Sequence, residues 1–287
     1  MSAFDVTWLA LREAADHKAR ADALTRMLRR ALQARETVSV IDLGSGTGSN
    51  LRHMAPQIAG HQHWRLIDSD PALLAAAPGE IAGWAAARGY AVEQHANDLT
   101  VEGGSFTAHV VLQEMNLASH PLPTRTADVV TGNALLDLVS RDWLVRLIGA
   151  CSQCNALVLF ALSYDGRIAW EPPDALDASI RDLVNRHQQG DKGFGPALGP
   201  EAATTTTTLL RTAGYEVETA ASDWRLDSRD AELQQHLHAG WASAASEMAP
   251  TRTPEIQGWL ERRADLLAAG TGQVTVSHMD VLGFPPG

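Results

Sequence analysis

Three glycines alternate with Ser45 and Thr47 in VSVIDLGSGTGSN, which runs from Val38 to Asn50. A β-branched apolar run precedes them, and Asn50 to Gln57 is expected to open a helix. Glycine lets a backbone turn sharply and approach a ligand closely. The free amides at a helix start favour anionic or polar groups. Gly44, Gly46 and Gly48 therefore read as a cradle for a nucleotide-type cofactor. The spacing narrows the choice. A dinucleotide fingerprint needs a glycine where Ser49 stands, and a P-loop needs a Gly-Lys-Ser/Thr that does not follow.

In DLGSGTG, Asp42 stands two residues before the first glycine. This resembles motif I of the class I S-adenosylmethionine-dependent methyltransferases. In LIDSDPALL, Asp68 ends the second strand, where that family places an acid on the ribose hydroxyls. A carboxylate accepts both hydroxyl protons, which explains the residue type. TADVVTGNALLDL is similar to motif IV, with Asn133 and Ala134 at the strand end beneath the cofactor. The family also contacts adenine with a residue after the third strand. Asn116 and Leu117 in QEMNLASHPLP take that place if the third strand is Ala108 to Gln113. Asp98 competes if the strand is Ala91 to Gln94. Asn116 is preferred, because it lies a short loop before the fourth strand. The implied cofactor is S-adenosylmethionine, with S-adenosylhomocysteine as product. Its implied site is Asp42, Gly44, Ser45, Gly46, Thr47, Gly48, Asp68, Ser69, Asn116, Leu117, Asn133 and Ala134. The matching motifs span residues 38–162, about half the chain.

The implied reaction is in-line displacement at the sulfonium methyl of a small-molecule acceptor. The methyl is already activated, so the protein must align a nucleophile and exclude water. A base is needed only for a nucleophile that carries a proton. No universal catalytic residue carries over, and the catalytic assignment stays open among Asn133, Asp137, Tyr164 and His187. Asp165, Arg167, Asp191 and Lys192 lie in the same glycine-rich stretch, which reads equally as a lid or as a solvated connection. Trp170, Trp224, Trp241 and His278 are expected in the core. Arg12, Asp16 and Arg20 repeat at helical spacing, either as surface pairs or as a closure over the cofactor. Two other functions share this fold: an aminopropyl transferase and a non-catalytic binding scaffold. An acid cluster for a polyamine is not evident, and an intact DLGSGTG with Asp68 disfavours the scaffold.

The elements that must position these residues follow from periodicity. Helix is expected over Ala3 to Ala34, with one break. Strands are expected at Val38 to Leu43, Trp64 to Ile67, Ala108 to Gln113, Asp128 to Thr131 and Asn155 to Leu162. Glu102-Gly103-Gly104-Ser105 marks a β-hairpin before the third strand. Helices are expected over Pro71 to Ala77, Glu80 to Arg88 and Leu135 to Ile148. Ser163 to Gly199 reads as a long irregular segment holding one helix, Asp177 to His187. Helices at Glu201 to Ala213, Ser228 to Glu247 and Pro254 to Ala269 follow, with strands at Tyr215 to Ala220 and Val274 to Leu282. The order implies an α/β fold in three layers. Its Rossmann-like sheet is mostly parallel with a last antiparallel strand, beneath an N-terminal helical cap. It is expected as a single domain: a helical region (1–37), a cofactor-binding half (38–162) and a substrate-side half (163–287).

The 287 residues carry a net charge of −11. That balance disfavours phosphate backbones, so nucleic acid is not the expected partner. No apolar run spans a membrane and no signal pattern opens the chain, so a cytoplasmic protein is expected. Cys151 and Cys154 in CSQC have no second pair and read as two packed thiols. No metal site is expected, His236 and His238 included. The residues say nothing about oligomeric state.

Overall fold

The structure is a computed structural model and describes residues 5–95, 98–122, 124 and 126–286. Two helices open it, α1 (Val6–Ala19) and α2 (Asp22–Leu32). The strands and helices that follow are β1 (Thr37–Leu43), α3 (Ser49–Met54), β2 (Gly60–Asp68), α4 (Pro71–Arg88), β3 (Ala91–His95), β4 (Asp98–Glu102) and β5 (Phe106–Glu114). Then come β6 (Val129–Asn133), α5 (Arg141–Gln153), β7 (Leu157–Glu171), α6 (Asp177–Gln188), α7 (Ala202–Thr212) and β8 (Glu216–Ala221). The chain ends with β9 (Trp224–Leu226), α8 (Ala231–Met248), α9 (Thr253–Ala268) and β10 (Gln273–Phe284).

One sheet runs in the order β3-β4-β5-β2-β1-β6-β7-β10-β8, with β9 on β10. β5, β2, β1, β6 and β7 are parallel, and β10 is antiparallel to β7 and to β8. Both faces are covered, as a parallel sheet requires. Leu28 of α2, Met54 of α3 and Ile81 of α4 pack on Val40 and Leu66 from one side. Leu147 of α5 and Leu210 of α7 pack against Val130 and Phe160 from the other. A third cluster joins α6, α8 and α9 to the far half of β7 through Ile180, Trp241, Trp259 and Trp170.

Several expected boundaries move, each for a physical reason. The hairpin forms where expected, between β4 and β5, and Gly103 N donates to Phe106 O at 2.9 Å. β3 adds a further antiparallel strand outside β4, mostly exposed, so no buried pattern announces it. Helix α4 runs through Pro78 unbroken, because Leu74, Ala77, Ile81 and Ala85 stay in one buried stripe across it. The helix expected from Leu135 starts only at Arg141. Ala134 has a positive φ of 49° and breaks the run, and Ser140 caps α5 by accepting from Trp143 N at 3.3 Å. Strand β7 does not end at Leu162 but continues to Glu171, with alternate residues Ile168 and Trp170 buried. The irregular stretch is thus shorter than expected. Helix α7 tolerates its threonines because they turn inward on their own backbone: Thr206, Thr207 and Thr208 donate to carbonyls four residues back.

Candidate active site

The carboxyl ends of β1, β2, β5 and β6 face one cavity of about 400 Å³. Every residue of the implied cofactor site lines it except Gly48. Gly48 has a different task. It caps α3 at φ 84°, and a Cβ there would stand 3.2 Å from Leu66 and 3.4 Å from Ile81. It lets helix and sheet pack closely, the task a dinucleotide fingerprint gives to its third glycine.

The loop is tied to its neighbours by backbone. Ser45 N donates to Ile67 O at 3.0 Å, and Gly46 N donates to the Asp68 carboxylate at 2.8 Å. The other Asp68 oxygen takes Asp70 N at 3.0 Å. Met115 N bonds Asp68 O at 2.8 Å, which brings Asn116 alongside. Asn116 Oδ1 then accepts from Ala118 N at 2.9 Å. Asp98 sits on β4 with its carboxylate 3.8 Å from His109, and it does not line the cavity.

Beneath the loop lies a buried polar chain. Asn50 donates to Asp42 at 2.9 Å and to Thr131 at 3.1 Å. Arg20 donates to Asn50 Oδ1 at 2.9 Å and to Asn133 Oδ1 at 3.2 Å. Asp42 Oδ2 and Ser45 Oγ are buried on this wall with no hydrogen-bond partner among the described residues. Burial pushes the Asp42 carboxyl up to about 7, against the pull of Asn50 and Arg20.

Helix α1 closes over the loop. A Cβ on Gly46 would meet Leu9 Cδ1 at 2.8 Å, and Arg12 and Asp16 join the lining. Glu13 pairs with Arg52, whose Nη1 donates to Thr47 O at 2.6 Å. His17 Nε2 lies 3.1 Å from Ser49 Oγ. Arg12 and Asp16 form the expected i,i+4 pair, at 2.8 Å, on the cavity wall, and Arg20 is buried beneath it. Leu9, Glu13 and Arg52 escaped sequence reading: nothing local marks the contact of Leu9 with Gly46 or of Glu13 with Arg52, each nearly forty residues apart.

The remaining candidates divide. Asn133 lines the cavity. Asp137 is 8% exposed, one residue from lining Leu138; burial pushes its carboxyl up to about 6, and Arg12 and Lys192 draw it back. Tyr164 is buried and donates to Asn185 at 2.7 Å; burial pushes its phenol well above its ordinary value. His187 lies on α6 beside Glu247 at 3.3 Å and is not part of the lining. Asp165 and Arg167 pair with each other at 3.0 Å. Asp191 shapes the loop that carries Lys192, which lines the cavity with Phe194. Trp170 packs edge-on against Trp241 and Trp259, with centroids at 5.4 and 5.7 Å. Trp224 lies under the Arg12 guanidinium at 4.8 Å and beside His278 at 5.1 Å. Cys151 and Cys154 are free thiols, Cys151 buried. Among the described residues no group of three or more potential ligands could hold a metal ion.

No family model matches the chain, and no curated protein matches it. Solved structures do. YcgJ of Bacillus subtilis superposes with a TM-score of 0.50 at 13% identity, over 93% of this chain and all of that one. A SAM-dependent methyltransferase of Geobacter sulfurreducens, solved with S-adenosylhomocysteine, gives 0.47 at 15% identity over the whole of both chains. Another from Thiobacillus denitrificans, also with S-adenosylhomocysteine, gives 0.44 at 17% identity over 97% and 98%. At these identities the likeness is one of fold. The fold is Rossmann-like, a mostly parallel sheet covered by helices on both faces. No helix among the described residues is long and apolar enough to cross a membrane.

Proposed function

We propose that the protein transfers the methyl group of S-adenosylmethionine to a small-molecule acceptor and releases S-adenosylhomocysteine. One observation carries this reading. The Gly44–Gly48 loop, Asp68, Asn116 and Asn133 stand at the ends of four adjacent strands, and all but Gly48 of these residues line one cavity. Ligands of open α/β sheets bind at such strand ends.

The residues present suit the cofactor. The two orphaned atoms on the wall, Asp42 Oδ2 and Ser45 Oγ, want polar partners, which an amino-acid end provides. Each Asp68 oxygen already accepts one amide and keeps a second lone pair for a ribose hydroxyl. Asn116 and Leu117 are placed to bound an adenine. When bound, the cofactor supplies a methyl already activated by positive sulfur. The chain's own task is then to hold a nucleophile in line and keep water out. Leu9, against Gly46, supplies the apolar cover.

We also infer a single domain, because one sheet takes in strands from Thr37 to Phe284. The charge of −11 supports the absence of a nucleic-acid partner. Two free thiols suit the reducing cytoplasm.

The test is transfer of labelled methyl from S-adenosylmethionine into a fractionated pool of cell metabolites. One compound or one chemical series is expected to gain label. If S-adenosylhomocysteine binds but no fraction gains label, the protein is a binding scaffold and not a transferase.

A further inference from the structure

The cavity wall is not all loop and strand end. Arg12 and Asp16 of α1 complete it, with Lys192, Gly193 and Phe194 from the loop after α6. The charged groups here do not all find partners. Arg12 gives Nε and Nη2 to Asp16 at 2.8 and 3.1 Å, and Asp16 also accepts from Trp224 Nε1 at 3.0 Å. That cation is matched inside the protein.

Lys192 is not. Among the described residues it makes no ion pair and no hydrogen bond, and it is one of the residues that line the cavity. The loop needs no help from it. Asp191 accepts from Gly193 N at 2.7 Å and from Gly195 N at 3.0 Å, and Phe194 anchors edge-on to Trp143 at 5.3 Å. The loop therefore holds its shape without using the lysine's ammonium. Asp137, not itself among the lining residues, has an open place in hydrogen bonding beside the cavity. Its residue is 8% exposed and its Oδ1 has no hydrogen-bond partner among the described residues, while its own carbonyl holds Gly199 N at 3.0 Å. Leu135 and Leu138, on either side of Asp137, line the cavity, and with Leu9 and Phe194 they make this part of the wall apolar. Lys192 is close enough to draw on the Asp137 carboxyl but makes no ion pair among the described residues, so its charge is left to take an anion, and a buried acceptor without a donor costs stability until one arrives.

We propose that the acceptor is a small, largely apolar acid bearing a hydroxyl or amine, its anionic group held by Lys192 and its donor by Asp137. The proposal rests on the methyltransferase reading. It deepens that reading by naming the acceptor's chemical class.

The test uses the full chain saturated with S-adenosylhomocysteine. Titrate it with 4-hydroxybenzoate, anthranilate, 3-hydroxybutyrate and β-alanine, each beside its neutral amide, and with benzoate, which lacks the donor. At least one acid is expected to bind at least about tenfold more tightly than its amide, and Lys192→Met to lose that preference with unchanged S-adenosylhomocysteine affinity. Asp137→Ala is expected to erase the advantage of 4-hydroxybenzoate over benzoate. Equal binding of acids and amides, or no acid binding, overturns the proposal and leaves the cofactor reading intact. An unchanged preference in Lys192→Met overturns it too, with Lys192 and Asp137 then serving only each other. Loss of S-adenosylhomocysteine affinity in Lys192→Met also overturns it and assigns the lysine to the cofactor. Failure of wild type to bind S-adenosylhomocysteine removes the cofactor reading and this proposal together.

Discussion

Asp42 shows how one residue type serves the site and costs the fold. It is 1% exposed, one oxygen is bonded to Asn50, and the other has no partner among the described residues. Burial holds its carboxyl up at about 7, well above the ordinary carboxylate range. The folded state therefore binds the proton more tightly than the unfolded state. The stability this group contributes is present below the unfolded value and lost as pH rises to about 7. Asp42→Asn removes the titration. Urea unfolding of both proteins near pH 5 and near pH 8 is expected to show wild type losing roughly 1–3 kcal/mol relative to the variant on the way up. A difference constant with pH would contradict this placement. The variant also cancels the opposing pull of His53 and His278, buried neutral and held down at about 3, which favour the fold above their ordinary value. At this scale the site was legible where chemistry repeats locally. The glycines, Asp68 and Asn133 announce themselves by type and spacing. Leu9, Arg52 and Asn50 do not, because a leucine over a glycine, or an arginine on a carbonyl, has no local signature.

The break between α1 and α2 is where the helical cap is fastened. Arg20 stands in it, fully buried, bonded to Asn50 and Asn133 and 3.7 Å from Asp280. Asp280 in turn accepts from Ala21 N at 3.0 Å and Leu162 N at 2.8 Å. One guanidinium thus joins the cap, the third-from-centre strand β10 and the cofactor loop. Arg20→Leu strands a buried carboxylate, and urea unfolding is expected to show a loss of about 3–5 kcal/mol. A loss below about 1 kcal/mol would mean the cap is fastened elsewhere. The same scale shows why some elements were misjudged from sequence. The run Leu135–Val139 has helical apolar spacing, yet Ala134 at positive φ turns it into an irregular wall of the cavity. Gly166 lies inside β7 and suggested a loop, but the strand passes through it because Ile168 and Trp170 bury on α6, α8 and α9. β9 has only three residues, too few for any period to show.

At the scale of the whole molecule, the central strand order was readable, because alternation of strand and helix leaves few topologies. The two consecutive helices before the last strand pointed to an antiparallel addition, and β10 is antiparallel to β7 and β8; its place between them comes from the structure. What was not readable is the cavity itself. It gathers α1, four strand ends and the loop carrying Lys192, segments separated by more than a hundred residues of chain. Only tertiary packing brings Leu9 to Gly46 and Lys192 near Asp137. The claim at this scale is that the assembled cavity holds the methyl-donor cofactor. The most direct measurement is calorimetric titration of the full chain with S-adenosylhomocysteine, repeated on Gly46→Val and Asp98→Ala. Wild type is expected to bind at one site per chain. Gly46→Val, forced into a left-handed φ of 54° with its side chain against Leu9, is expected to lose at least about tenfold in affinity. Asp98→Ala, outside the cavity, is expected to bind as wild type does. No heat with wild type, or equal affinity in Gly46→Val, would contradict the account.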